Sequence, residues 1–327
     1  ETAAPLPGFD TTSPLVLVGS IPTDAFEAPS LRGGKVYQLG WQDGNAVVRS
    51  WSPDGTWRIA AQGTSLPVKY LYHDAEGDAL ATLAIDATWT CPLRVSGSAG
   101  PWNPTTSTAW KEVVSLSGKR VAWIDYRHNP SGGVNSEVYV AHRDSALERR
   151  LTADSIYQTG VSMDGDRIAW VEYVHGDKAN IRWMDLATGS TRLLDPRSTH
   201  QDKPRVAGDW VVWEDYRSAS VTDTSDIDIR GWSPSTGAVP LAVAPGYQGA
   251  VSVSQGRMVW EHYAPGAQVP EIRGKALAGV DTSTQILVAR DPSGAWQGKP
   301  SLEGAELVWL VASGGSMEVR RARWAAP

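Results

Sequence analysis

The chain reads as an all-β protein, a single seven-bladed β-propeller closed by an N-terminal strand, on three observations. A phrase recurs at near-constant intervals: a hydrophilic turn, a short apolar run ending in Trp, then an acidic residue or His and Tyr. It appears as Arg120-Val121-Ala122-Trp123-Ile124-Asp125-Tyr126, Arg167-Ile168-Ala169-Trp170-Val171-Glu172-Tyr173, Trp210-Val211-Val212-Trp213-Glu214-Asp215-Tyr216 and Arg257-Met258-Val259-Trp260-Glu261-His262-Tyr263, and weakens to Glu306-Leu307-Val308-Trp309. The anchoring Trp residues lie 47, 43, 47 and 49 positions apart, the period of a propeller blade. A second register accompanies the first, in which an acidic or amide residue precedes a β-branched one: Glu137-Val138, Asn180-Ile181, Asp226-Ile227, Glu271-Ile272 and Glu318-Val319. Finally, the segments are short, β-rich and bounded by Gly, Asp and Ser, with no useful run of helical periodicity.

Taken in order, residues 1–14 read as a flexible N-terminal segment and residues 15–327 as the propeller. Thr2 to Pro14 is rich in Pro, Ala and Thr, the composition of a linker left by processing. The protein is therefore expected outside the cytoplasm: periplasmic, cell-surface or secreted. Blades are expected near 26–63, 66–112, 113–157, 158–196, 202–243 and 248–290, the first two degenerate in sequence. The clearest one divides into a strand ending at Ser162-Met163-Asp164-Gly165, then strands over 167–173, 179–185 and 190–194. The tail from Lys299 to Trp324 supplies three strands and would leave an open sheet edge. The apolar Pro14-Leu15-Val16-Leu17-Val18 has no blade of its own, so it is assigned as the outer strand of the last one. The alternative is a six-bladed ring with a stray N-terminal strand.

Composition excludes some functions. Formal charge is −6 with a pI near 5.6, so no basic surface invites a phosphate backbone and no nucleic-acid partner is expected. No apolar run reaches the roughly 18–20 residues of a transmembrane segment. Cys91 is the only cysteine, which rules out an internal disulfide and reads as a small buried side chain. Sixteen Trp against two Phe predict a core built largely of indole, since each ring can bury roughly 150–250 Å².

The run Arg149-Arg150-Leu151-Thr152, followed by Ser162-Met163-Asp164-Gly165-Asp166-Arg167-Ile168-Ala169-Trp170, resembles the repeat of TolB-like, WD-type propellers, whose units read R-R-L-T, then S-P-D-G, then an I-A-F strand. The likeness covers about two thirds of the chain. It departs in having Trp where that family mostly has Phe, in losing the Pro of S-P-D-G, and in having no counterpart of the α/β domain that precedes the TolB propeller. The resemblance implies the fold, an envelope or secreted setting and a binding role, and it transfers no catalytic residue.

In a propeller the loops joining second to third strands, and fourth to first, share one face. Here they carry Tyr126, Arg127 and His128; Tyr173 and His175; His200; Tyr216 and Arg217; and His262 and Tyr263, rings and cations suited to stacking on and hydrogen-bonding a ligand. These are the ligand-binding candidates. Asp125, Glu172 and Asp215 read instead as scaffold groups that satisfy a neighbouring blade's backbone. His128, His175, His200 and His262 would be the acid–base or metal-binding groups of an enzyme, but they share no motif spacing. No metal site and no cofactor is therefore expected. The one weak calcium pattern, Asp223-Thr224-Ser225-Asp226-Ile227-Asp228, lacks the Gly and distal Glu of a calcium loop. Ser52-Pro53-Asp54-Gly55-Thr56-Trp57 resembles a sialidase Asp-box with too short an Asp-to-Trp spacing, and reads as a hairpin turn. There is no nucleophile elbow, phosphate loop or HExxH.

The functional expectation from sequence is a non-enzymatic binding module with a protein or glycan partner on its loop-rich face. Two alternatives stand beside it: a carbohydrate-active lyase or hydrolase working in the central funnel, and a structural domain of a larger surface protein. The oligomeric state is left open.

Overall fold

The computed structural model describes residues 16–21, 29–42, 45–52, 56–62, 68–76, 79–86, 90–129, 135–145, 147–175, 178–196, 199–216, 226–277, 286–291, 293–313 and 316–324. Among these every regular element is a strand, arranged as seven antiparallel sheets. Blade 1 holds Ser30–Arg32, Lys35–Gln42, Asn45–Trp51 and Trp57–Gln62, and blade 2 holds Val68–Glu76, Ala79–Asp86 and Leu93–Ser96. Blade 3 is built of Lys111–Ser117, Arg120–Asp125, Glu137–His142 and Glu148–Arg150, and blade 4 of Tyr157–Asp164, Arg167–His175, Lys178–Asp185 and Thr191–Leu193. Blade 5 comprises Gln201–Ala207, Trp210–Asp215, Asp228–Ser233 and Gly237–Ala242; blade 6 comprises Tyr247–Ser254, Arg257–Tyr263, Glu271–Ala276 and Ile286–Ala289. Blade 7 joins Gln297–Glu303, Glu306–Ser313 and Ser316–Arg323 to Val16–Ile21.

That last pairing is the expected closure. Val16 sits opposite Arg321, and Ser20 opposite Glu318, with one bulge between Leu17 and Gly19. It hides the edge that three strands alone would expose. The seven-bladed expectation holds and the six-bladed alternative does not. Residues 1–14 lie outside the described residues.

Seven hydrophobic clusters fill the seven seams between blades, and the repeated Trp is central to five of them. Trp123, Trp170, Trp213, Trp260 and Trp309 are essentially unexposed, each on a second strand and each facing the preceding blade. Trp170, for example, packs with Ala122, Ile124 and Val138 of blade 3, and Trp260 with Val212 and Ile229 of blade 5. At roughly 25 cal/mol per Å² each indole contributes several kcal/mol of burial.

The inner strands carry a matching feature. Val113, Gly160, Lys203, Ala250 and Lys299 have φ between 47° and 59°, spaced as the Trp residues are, and all five fall where the register with the second strand skips. These are β-bulges, which bend a strand and sharpen its twist. Only one of the five is glycine, so four side chains hold a conformation that costs of order 1 kcal/mol. Hydrogen bonds across the seam offset this: Glu214 accepts from Ala250 N at 2.8 Å, and Glu261 from Lys299 N at 2.5 Å.

Further down the inner strands, side chains stitch blades 2, 3, 4, 6 and 7 each to the next. Ser115, Ser162, Ser252 and Ser301 accept from the main-chain nitrogens of Met163, Val206, Leu302 and Leu31, each at 3.0 Å, and Asp74 from Leu116 N at 2.8 Å. Two residues on, Glu76, Ser117, Asp164, Ser254 and Glu303 cap the glycine N–H of the following blade's first turn. Blade 2 departs from the expected four strands. Its outer place is taken by residues 97–110, closed by an isolated Val95–Trp102 bridge. Fully buried Lys111 donates to the carbonyls of Ser107, Ala109 and Cys91, doing by side chain what a fourth strand would do by ladder.

Candidate functional site

The first residues of the inner strands and the last of the second strands meet at one end of the channel, on the face that carries the candidate loops. Tyr157 pairs with Tyr173 and Tyr247 with Tyr263 across the ladder. His200 accepts from Tyr216 N through its carbonyl at 2.9 Å, and Trp110 from Tyr126 N at 3.0 Å. Blades 3 to 6 thus each present two rings, and blade 7 adds Trp296. The rings touch in sequence: Tyr126 and Tyr157 share a hydroxyl hydrogen bond at 3.1 Å, Tyr173 lies 5.2 Å from Tyr157 and 5.7 Å from His200, and Tyr216 packs edge-on to His200 at 4.9 Å. Tyr263 is edge-on to Tyr247 and accepts from the Trp296 indole at 3.0 Å.

A polar layer lies just beneath. Glu214, unexposed, accepts from Lys203 Nζ at 2.8 Å and from the Tyr216 hydroxyl at 3.4 Å. Glu261, also buried, has its carboxyl pushed up by desolvation. Burial likewise raises the Tyr247 and Tyr216 phenols, with Glu214 adding to it, so these rings are neutral donors at neutral pH. A cleft of about 760 Å³ opens here, walled by Tyr247, Tyr263, Glu261 and Asp226 with the loop around Pro265. Aromatic faces beside carboxylates suit a cationic group joined to an apolar body.

The ligand-binding candidates are placed differently from one another. Arg127 is consumed inside blade 3: its guanidinium binds Asp125 at 2.7 Å, Glu148 and Thr105, and stands 4.3 Å over the Tyr139 ring. His128 bonds the Tyr139 hydroxyl at 2.8 Å. Tyr126, Tyr173, His200, Tyr216 and Tyr263 belong to the aromatic mouth. His262 is buried and accepts from the Gln248 amide at 3.2 Å; burial, helped by Arg273, lowers its pKa to about 4. Arg217, and Asp223 of the weak calcium pattern, lie outside the described residues, as does the His175 side chain. Among the described residues no three metal-type ligands cluster.

The scaffold expectation for the acidic residues needs a correction. Asp125 and Glu172 bind within their own blades, accepting from the indoles of Trp123 at 2.9 Å and Trp170 at 3.2 Å, and Asp215 lies 3.6 Å from Arg230 of its own blade. On the second strands, the carboxylates that cross to the next blade's backbone are Glu214 and Glu261. Sequence reasoning also missed Tyr157 and Tyr247. The signal was an aromatic residue recurring at the start of the inner strands, where each sits opposite a second-strand Tyr.

Fold and site together define a channelled propeller with an aromatic, carboxylate-backed mouth. Among known proteins, no family model and no curated protein matches the sequence. Among solved structures, a prolyl endopeptidase matches 95% of this chain at 12% identity and a TM-score of 0.68, and the chain spans 51% of that protein's length. A TolB structure from Agrobacterium tumefaciens matches 68% of the chain at 21% identity, with 83% of its own length covered and a TM-score of 0.51. The propeller domain of the Trilobed protease from Pyrococcus furiosus matches 77% at 13% identity, with 83% of its length covered and a TM-score of 0.58. The TolB-like resemblance of the repeats therefore holds as a likeness of fold. The Pyrococcus domain is described as having an open velcro topology, whereas this ring is latched.

These findings correct the functional expectation of a non-enzymatic binding module with a protein or glycan partner. The solved structures that this chain superposes on over nearly its whole length are those of hydrolases, puromycin hydrolases among them, and it spans little more than half of each. The loop cations on which free-standing binding rested are, in the case of Arg127, spent on the fold. No helix among the described residues is long and apolar enough to cross a membrane.

Proposed function

We propose that this chain is the propeller portion of a peptidase-type hydrolase, admitting and orienting a peptide-like substrate for a catalytic domain of its own. The observation that carries the reading is the mouth itself, where Tyr247 and Tyr263 flank a cleft backed by Glu261 and Asp226. Such a site favours the amino group and apolar side chain of a short peptide. The share of the prolyl endopeptidase that the chain spans supports the division of labour, as does a sequence without a nucleophile elbow. The TolB-like repeat supports a setting outside the cytoplasm.

Calorimetry of the isolated chain with short peptides tests this. Peptides with a free amino terminus should bind, their N-acetylated counterparts more weakly, and no cleavage should follow. Tyr247→Ala and Glu261→Gln should each weaken binding about ten-fold. Affinity untouched by both substitutions, or peptide turnover by the chain alone, would sink the proposal.

A further inference from the structure

The channel below the mouth encloses about 570 Å³ and is walled by the inner strands of all seven blades. Two of its residues break the stitching pattern of these strands. Where blades 3, 4, 6 and 7 place Ser115, Ser162, Ser252 and Ser301, blade 5 has Arg205; where blades 2, 3, 4, 6 and 7 place a glycine-capping Glu, Asp or Ser, blade 1 has Arg32. The seams that follow blades 1 and 5 are those for which no such stitch occurs among the described residues. These arginines therefore take positions that elsewhere hold the ring together.

Arg32 donates to the adjacent Leu31 carbonyl at 2.8 Å and Arg205 to the Pro204 carbonyl at 3.0 Å, and neither forms an ion pair among the described residues. Blades 1 and 5 stand three seams apart in a ring of seven, so the two side chains enter the channel from nearly opposite walls. Arg205 is surrounded by protein and meets solvent through the channel. Desolvation chiefly weakens its hold on its proton; the Glu214, Asp74 and Asp202 charges oppose this and the Arg32 charge adds to it, so both the cations and the carboxylates around the channel act on Arg205.

The nearby carboxylates keep their charge but are held by main-chain nitrogens rather than by the arginines. Asp74 accepts from the nitrogens of Ala75 and Leu116, and Glu303 from those of Gly33 and Gly34. Asp164 accepts from Gly208 N, and Glu214 from Ala250 N and Lys203. By contrast, Ser162 and Ser252 each use their oxygen to accept a main-chain N–H, which leaves the hydroxyl hydrogen free to donate. Two guanidiniums that make no ion pair among the described residues, with hydroxyl donors beside them, supply the donors of an oxyanion site.

We infer that Arg32 and Arg205 form an anion-binding site inside the channel, selective for a small oxyanion, either free phosphate or the terminal carboxylate of a peptide. This stands apart from the peptide reading of the mouth, since phosphate alone suffices to reveal it.

The test is calorimetric titration of the full chain, in low-chloride buffer, with inorganic phosphate and with one N-acetylated tripeptide as free acid and as amide. Phosphate binding, or binding of the acid but not the amide, is expected, and the contrast identifies the source. Affinity should fall about ten-fold for Arg205→Gln or Arg32→Gln and disappear in the double variant, while Arg205→Lys retains part of it. Without anion the double variant should melt within a few degrees of the parent, because each arginine gives up only one hydrogen bond, to the carbonyl of the residue before it. Absence of binding by phosphate and acid alike, or binding that survives in the double variant, would overturn the inference.

Discussion

Gly246 precedes Tyr247 at the mouth with φ of +95°, and a Cβ there would sit 2.1 Å from the Tyr263 carbonyl oxygen. Backbone cannot yield as a side-chain tip does, so Gly246→Ala should destabilise by about 2–4 kcal/mol, read from the urea midpoint at constant slope. A change below about 0.5 kcal/mol would contradict this packing. His262 tests the chemistry of the same corner. Gln248 accepts from Ala244 N and donates to the Gly246 carbonyl, an orientation that makes its amide nitrogen the donor to His262 and keeps the imidazole neutral. The folded pKa of about 4 lies below the ordinary 6.5, so between those values the unfolded chain binds the extra proton. Stability should decline as pH falls from about 6.5 to 4, by up to about 3 kcal/mol from this group, and no further below. His262→Gln should flatten that part of the pH–stability curve; an unchanged slope would show that the imidazole charges freely.

At the scale of the strand, the five Trp are alike in burial and unlike in their polar ends. The Trp123 and Trp170 indoles have carboxylate partners, while the Nε1 atoms of Trp213, Trp260 and Trp309 are buried without one. Trp213→Ala should cost roughly 3–5 kcal/mol. Replacement by Phe should separate the two groups: Trp309→Phe removes an unsatisfied donor, whereas Trp123→Phe takes one from buried Asp125, and the second should cost about 1–2 kcal/mol more. Equal losses in chemical denaturation would refute the distinction. Blade 2 offers a sharper contrast, with Lys111→Met expected to cost about 3–5 kcal/mol and Lys119→Met, whose ion pair with Asp144 is exposed, within about 0.5 kcal/mol.

For the molecule as a whole, closure depends on a ladder between residues almost three hundred positions apart. Deleting residues 1–21 leaves Ser316–Arg323 as a bare edge, and the melting temperature should fall by about 5 °C or more with a growing tendency to associate. A truncated chain that melts within a degree or two of the parent and stays monomeric would show the latch to be dispensable.

The blade count, the latch and the seam position of Trp were legible because period, alternation and an unsatisfied edge are properties of the chain read in one dimension. Trp170 and Trp213 could be assigned to the core from spacing alone. The site was legible only in part. Tyr126, Tyr173, Tyr216 and Tyr263 could be placed on one face by counting strands, but whether a polar side chain looks outward or is spent on its neighbours depends on partners far away in sequence. Arg127 meets Glu148 and Thr105, some twenty positions away, and Arg32 and Arg205 line one channel from blades 1 and 5, arrangements that no local pattern encodes. The sequence by itself determined the repeat and the surface each strand buries, since these follow from side-chain periodicity. The tertiary structure decided which charges are neutralised and which rings converge, because both depend on how seven separately folded sheets close around one axis.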